Sequence, residues 1–73
     1  MKLPIVSGRQ TVRAFETFGW TVARQSGSHI VLTKAGEIAT LSVPDHSELA
    51  KGTLRSLIRA ANITVEMFID ALP

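Results

Sequence analysis

Residues 20–44, WTVARQSGSHIVLTKAGEIATLSVP, predict three short β-strands separated by two tight turns. Apolar and polar residues alternate in each segment, and the segments are bounded by Ser26, Gly27 and Ser28 and then by Gly36. Pro44 ends the third segment because proline has no N–H to donate to a neighbouring strand. We therefore expect an antiparallel meander with strands at residues 20–25, 29–34 and 37–43.

Alternation gives each strand one face toward a core and one toward water. Trp20 and Val22 point the same way in the first strand. In the second strand Ile30 and Leu32 are the better core pair, which places His29 on the opposite, open face. A one-residue shift of pairing register would reverse this assignment. The third strand has three apolar residues on one face: Ala39, Leu41 and Val43.

Helices flank the strands in the sequence. Ser7 and Gln10 form an S-x-x-Q capping box that starts a helix, and Gly19 ends it. A second helix is expected over residues 53–61, ended by Asn62, and a short third helix follows. Apolar residues at helical spacing predict the buried faces: Val12, Ala14, Phe15, Phe18, Leu54, Leu57, Ile58 and Ala61. The order α-β-β-β-α predicts an α+β fold with a three-stranded antiparallel sheet and helices packed on one face.

Length and composition narrow the class of protein. At 73 residues, with 45% hydrophobic residues, the chain is expected to form a single globular domain over residues 1–73. It has no cysteine, which excludes disulfide bonds and thiolate metal sites. Its apolar runs are far shorter than the roughly 18 residues of a membrane span, and its N-terminus lacks a signal-peptide pattern. These features predict a soluble cytoplasmic protein.

The charge balance is mildly basic. Eight Lys and Arg residues against six Asp and Glu give a net charge of +2, which permits a polyanion partner without requiring one. Arg9 and Arg13 lie one helical turn apart, as do Arg55 and Arg59. Such pairs either contact phosphates or form a solvated helix face.

His29 stands directly behind the predicted turn of Ser26, Gly27 and Ser28. An imidazole exchanges protons near neutral pH, so His29 is a candidate general acid or base. The backbone N–H groups and hydroxyls of the turn would suit a phosphate beside it. The alternative is a half-exposed strand histidine with no chemical role.

Further candidates follow the third strand. His46 is either the second member of an acid/base pair or a polar loop residue. Lys51 and Thr53 lie at the start of the second helix, where free N–H groups favour an anion, although simple helix initiation explains them equally well. Asp45 is more typical of a turn or helix cap than of a ligand. No set of His, Asp and Glu has recognised metal-ligand spacing, so no metal site is predicted.

The chain resembles the HicA family of toxins over residues 2–71. The resemblance is carried by SGRQ at 7–10, FGW at 18–20, RQSGSH at 24–29, VPDH at 43–46 and KGTLRSLIRAANITVEMF at 51–68. GSH, VPxH and KGTLRSLI in this order and spacing are its most specific part. The family implies a fold similar to the double-stranded-RNA-binding domain, cleavage of mRNA and neutralisation by a HicB-type antitoxin protein. It therefore implies the toxin of a type II toxin–antitoxin system.

The resemblance also implies a role for individual residues. The histidine of the family's Gly-Ser-His motif corresponds to His29, which would be the general acid/base of a metal-independent endoribonuclease without cofactors. RNA carries its own nucleophile, the 2′-hydroxyl, and His46 or a water would protonate the leaving oxygen. Ile30 stands where many members have a second histidine. The residues expected to bind substrate are Arg24, Ser26, Gly27, Ser28, His46, Lys51 and Thr53.

Two other functions remain open from the residues. The same fold and charge would support an RNA-binding module without chemistry. A DNA-binding helix-turn-helix would use residues 53–61 and 65–72, but its second helix is acidic or apolar, which is a poor surface for a polyanion. If the chain is the toxin, we expect the antitoxin to cover the open sheet face around His29.

Overall fold

The structure is a computed structural model that describes residues 2–73. Three helices and three strands follow the order α-β-β-β-α-α, which confirms the predicted α+β class and adds the expected short last helix. The elements are α1 (Gly8–Glu16), β1 (Thr21–Ser26), β2 (His29–Thr33), β3 (Leu41–Pro44), α2 (Lys51–Ala60) and α3 (Val65–Ala71). No helix in this part of the chain is long and apolar enough to cross a membrane.

The sheet is antiparallel with strand order β1-β2-β3, so β2 is central and the other two strands are edges. Ile30 and Leu32 of β2 are buried among helix residues, as predicted. Because successive side chains of a strand point to opposite faces, His29 lies on the open face. His29 is solvent-exposed and pairs with Ser26 on one side and Pro44 on the other.

A β-bulge in β1 changes which residues share a face. The pairing shifts between Val22, which pairs with Leu32, and Arg24, which pairs with Val31. Directly paired residues of antiparallel strands lie on the same face. Val22 therefore lies on the helix side of the sheet, and the bulge at Ala23 moves Arg24 to the face of His29. Simple alternation would have kept Val22 and Arg24 on the same face.

The first predicted strand also begins differently. Trp20 precedes β1 and is buried at 1% exposure, whereas every residue of β1 is exposed and Val22 retains 48% exposure. Trp20 and Val22 both lie on the helix side of the sheet, as predicted, but Trp20 is outside β1 and Val22 remains half exposed. The physical reason is that β1 is an edge strand, so only the residue entering it is covered by the helices.

The third strand is shorter than predicted. Its pairing with β2 ends at Leu41, opposite Leu32, and β2 itself ends at Thr33. Residues 37–40 thus lie outside the paired strand, and Ala39 is exposed rather than buried. Leu41 and Val43 are buried as predicted. Pro44 is the last residue of β3 rather than the first beyond it, which an edge strand tolerates.

The capping box and the two glycine- or asparagine-type helix stops predicted from the sequence are present in the structure. The side chain of Ser7 accepts a hydrogen bond from the N–H of Gln10 at 3.1 Å, and the N–H of Ser7 donates to Gln10 Oε1 at 2.9 Å, which confirms the capping box. Gly19 and Asn62 both have positive φ, at 94° and 59°, so both stops adopt the expected left-handed backbone. Lys51 begins α2, two residues earlier than predicted.

The core lies between the helices and one face of the sheet. The rings of Phe15 and Phe68 pack there at a tilt of 50° with centroids 5.5 Å apart. Phe18 is only partly buried, at the edge of this core. The buried helix residues are those at the predicted spacing: Val12, Ala14, Phe15, Leu54, Leu57, Ile58 and Ala61. This packing leaves the His29 face of the sheet without any helix over it.

Candidate functional site

The turn between β1 and β2 sets the position of His29. Gly27 and Ser28 connect Ser26 directly to its partner His29, which makes a two-residue hairpin turn. Gly27 has φ of 59°, a left-handed conformation that glycine adopts without strain. Ser26, Gly27, Ser28 and His29 are therefore contiguous and exposed, and we call these four residues the histidine turn.

The end of β3 lies beside the histidine turn. Pro44 pairs with His29, and the N–H of Asp45 donates to the carbonyl oxygen of Ser28 at 2.6 Å. His46 follows directly and is exposed. The chain thus brings both of its histidines to the same end of the sheet, although they are 17 positions apart in the sequence.

The N-terminus of α1 packs against the same segment. The N–H of Gly8 donates to the carbonyl oxygen of His46 at 2.9 Å. A Cβ on Gly8 would lie 1.9 Å from the carbonyl oxygen of Pro44, so no residue other than glycine fits here without a backbone shift. The start of α1 and residues 44–46 are in direct backbone contact.

The carboxylate of Asp45 connects α1 with β1. Its Oδ2 accepts from Arg9 Nη2 at 3.1 Å, in an ion pair, and from Gln25 Nε2 at 3.3 Å. Gln25 Nε2 also lies 3.4 Å from the carbonyl oxygen of Gly27, inside the histidine turn. The interpretation of Asp45 as a helix cap is wrong, because Ala50 occupies the N-cap position of α2.

Arg24 completes the open face near the histidine turn. It lies one row along the sheet from His29, in the row formed by Arg24, Val31 and Ser42. The next row contains Ser26, His29 and Pro44. Arg24 and Ser26, two of the predicted substrate-binding residues, therefore share a face with His29.

The start of α2 contains the remaining two predicted binding residues, Lys51 and Thr53. Lys51 is exposed in the first turn of α2, and Thr53 is half-buried. Ala50 at the N-cap provides no side-chain hydrogen bond, so the first N–H groups of α2 lack a side-chain partner. Within residues 2–73 no hydrogen bond links Lys51 or Thr53 with His29. The predicted binding residues thus lie on two parts of the chain, residues 24–29 with His46 and the first turn of α2.

Sequence reasoning missed the residues that hold this end of the sheet together. Arg9 and Asp45 are 36 positions apart, and nothing in either local motif indicates their ion pair. The glycine at position 8 was the available signal, because glycine is poor in a helix and indicates a close backbone approach. Within residues 2–73, no three His, Asp or Glu side chains are grouped so as to hold a metal ion.

The fold and the site together define a small α+β protein that presents a solvent-exposed histidine on the face of its sheet opposite the helices. A family model described as the HicA toxin of bacterial toxin–antitoxin systems matches residues 8–63, which is well over half of the chain. The chain therefore belongs to the HicA toxin family, and it is the toxin of a toxin–antitoxin system with an antitoxin as its partner. A comparison with curated proteins finds no match.

Proposed function

We propose that this toxin is an endoribonuclease that cleaves mRNA, with His29 as its general acid/base. The observation that supports this most directly is the placement of His29, exposed on the open face immediately after a two-residue turn. Ile30, buried at 6% exposure, fixes this orientation because the strand cannot rotate without exposing it. Membership of a toxin family supports a damaging activity rather than passive binding.

The proposed reaction uses the 2′-hydroxyl of RNA as the nucleophile. His29 accepts the 2′-hydroxyl proton, the 2′-oxygen attacks the adjacent phosphorus, and the bond from phosphorus to the 5′-oxygen breaks. The products are a 2′,3′-cyclic phosphate and a 5′-hydroxyl, which takes a proton from a second acid. His46 is the candidate for this acid because it lies at the same end of the sheet, and a water molecule is the alternative.

The proposed phosphate contacts come from the histidine turn with Arg24 and from the start of α2. In the histidine turn, the exposed N–H groups of Gly27 and Ser28 and the hydroxyls of Ser26 and Ser28 are available to phosphate oxygens. Arg24 on the same face adds positive charge that would stabilise the charge developing on the phosphate. At the start of α2, Lys51 and uncapped N–H groups would bind a neighbouring phosphate of the strand, with Thr53 beside them.

We further propose that the partner is a HicB-type antitoxin that covers the open face of the sheet. That face has no helix over it and contains His29 and Arg24. A protein that buries it would exclude RNA from the histidine turn. Protection of His29 from solvent on complex formation, measured by hydrogen exchange at its ring Cε1, would test this placement.

Digestion of one RNA in excess EDTA tests the proposed activity. The wild-type protein is compared with His29→Ala and with Ser42→Ala, a substitution of an exposed residue in the adjacent row of the same face. We expect His29→Ala to lose about 100-fold or more in rate, the usual contribution of a general acid/base. Ser42→Ala should cleave as the wild type does.

The outcomes distinguish three hypotheses: catalysis by His29, cleavage that does not need His29, and RNA binding without cleavage. Because His29 is exposed, its replacement should leave the thermal midpoint nearly unchanged, which a melting curve verifies. Full cleavage by folded His29→Ala would refute the assignment of His29. If no variant cleaves but all bind RNA with strong salt dependence, the protein is an RNA-binding module without chemistry.

A further inference from the structure

We propose that Asp45 is a positioning residue that holds the histidine turn and His46 in one fixed arrangement against α1. It contributes no proton and touches no substrate in this account. The inference rests on the proposed function, because it concerns how the same site is held. It extends that proposal by naming the residue and the contacts that keep the two histidines in place.

Asp45 contacts the histidine turn through both its backbone and its side chain. Its N–H donates to the carbonyl oxygen of Ser28 at 2.6 Å, one residue before His29. Its carboxylate accepts from Gln25 Nε2 at 3.3 Å, and the same amide nitrogen lies 3.4 Å from the carbonyl oxygen of Gly27. Asp45 therefore restrains the turn at two points, directly at Ser28 and through Gln25 at Gly27.

The opposite side of Asp45 is fixed to α1. Its Oδ2 accepts from Arg9 Nη2 at 3.1 Å. Both chain neighbours of Asp45 also contact the start of this helix, because Gly8 packs on the carbonyl oxygen of Pro44 and its N–H donates to that of His46. The segment 44–46 is thus held between the helix and the turn.

This arrangement matters because residues 45–50 form no regular secondary structure of their own. A general base and a general acid act on opposite sides of the phosphorus, so their separation must be constant during the reaction. Misplacement of a reacting group by about 1 Å can lower a rate by roughly 100-fold. Without the Asp45 carboxylate, residues 44–46 would keep only their backbone contacts to Ser28, His29 and Gly8, and no side chain would hold them to Arg9 and Gln25.

The contribution of Asp45 to global stability should be small, which makes the proposal testable. The side chain of Arg9 is 73% exposed and that of Asp45 is 22% exposed, and ion pairs open to water stabilise a fold little. A merely structural role would lower the thermal midpoint and the rate together. A positioning role lowers the rate in a protein that remains folded.

The experiment compares Asp45→Ala and Asp45→Asn with Asp70→Ala, the same change at an exposed carboxylate on α3. Cleavage of a single-stranded RNA oligonucleotide gives kcat and KM. We expect Asp45→Ala to lower kcat by about 10- to 100-fold with KM changed less than about threefold. Asp45→Asn keeps an oxygen acceptor for Gln25 and should recover part of the loss. Asp70→Ala should match the wild type.

A double-mutant cycle tests whether α1 is the anchor. Arg9→Ala alone should lower kcat, and adding it to Asp45→Ala should cost little more, because both remove the same contact. Fully additive losses, or an unchanged kcat in folded Asp45→Ala, would overturn the proposal.

An NMR measurement keeps the inference separable from the proposed function. Backbone order parameters of residues 27–29 and 44–46 should fall in Asp45→Ala, while those of α2 remain as in the wild type. If the wild-type protein does not cleave RNA, the proposed function fails, and these order parameters alone decide whether Asp45 holds the segment. Unchanged order parameters would overturn the positioning role.

Discussion

The helices α1 and α2 start in opposite ways. The start of α1 is closed: Ser7 caps it, Gly8 touches the carbonyl oxygen of Pro44, and the Gly8 N–H is bonded to His46. The start of α2 is open: Ala50 provides no side-chain bond, and a Cβ on Gly52 would meet no atom within 4 Å. Both helices have a glycine in their first turn. Gly8 packs tightly against Pro44, whereas Gly52 faces open space.

The difference indicates that the N-termini of α1 and α2 have different roles. A helix start carries unpaired N–H groups and partial positive charge. In α1 these groups are used to hold the segment with His46, so this start organises the site. In α2 they remain available beside Lys51, which is the arrangement that an anion requires. On this account α1 positions the site and α2 binds the substrate.

The largest difference between the two helix starts is expected when one methyl group is added to each, because the two substitutions should change stability in opposite directions. Gly8→Ala forces the new Cβ into the carbonyl oxygen of Pro44, and overpacking of this kind costs about 1–3 kcal/mol of unfolding free energy. For a domain of this size each kcal/mol lowers the thermal midpoint by about 4–8 °C. Gly52→Ala has open space and should stabilise α2 by up to about 1 kcal/mol. Thermal melting of both variants measures the difference.

The matched pair contains its own control, because both substitutions remove a helical glycine and add the same atom. Equal midpoints for Gly8→Ala and Gly52→Ala would mean that the contact between α1 and Pro44 is not tight. A lower midpoint for Gly52→Ala than for the wild type would mean that the start of α2 is not open.

A smaller effect is expected at Lys51. Lys51→Gln removes one proposed phosphate contact, so RNA affinity should fall by a similar factor for every sequence, and the slope of log K against log salt should decrease by about 1. Unfolding free energy should change by less than about 0.5 kcal/mol because the residue is exposed. Lys2→Gln, which removes an exposed charge far along the chain, is the control. An unchanged salt slope for Lys51→Gln would remove α2 from the binding surface.

The sequence predicted the parts of this fold that depend on short-range chemistry. The capping box of Ser7 and Gln10, the left-handed stops at Gly19 and Asn62, and the buried face of Ile30 and Leu32 all depend on residues within a few positions of one another. The family was also indicated by motifs in order, and the match over residues 8–63 confirms it.

The rest could not be predicted because it depends on contacts between distant residues. The bulge at Ala23 moves Arg24 to the face of His29, and no turn or proline in β1 signals it. The third strand is short because its pairing with β2 stops at Leu41, which only the paired register shows. Asp45 and Arg9 meet across 36 positions. The assignment of individual site residues stays a prediction.

The product of cleavage is the most direct test of the proposal that His29 activates a 2′-hydroxyl of the RNA. One measurement would incubate wild-type protein, in EDTA, with an RNA oligonucleotide and with the same sequence lacking its 2′-hydroxyls, and identify the new ends by mass spectrometry. We predict 2′,3′-cyclic phosphate ends from the RNA and no cleavage of the 2′-deoxy oligonucleotide. Cleavage of both, or products with 3′-hydroxyl ends, would contradict the proposed chemistry of His29.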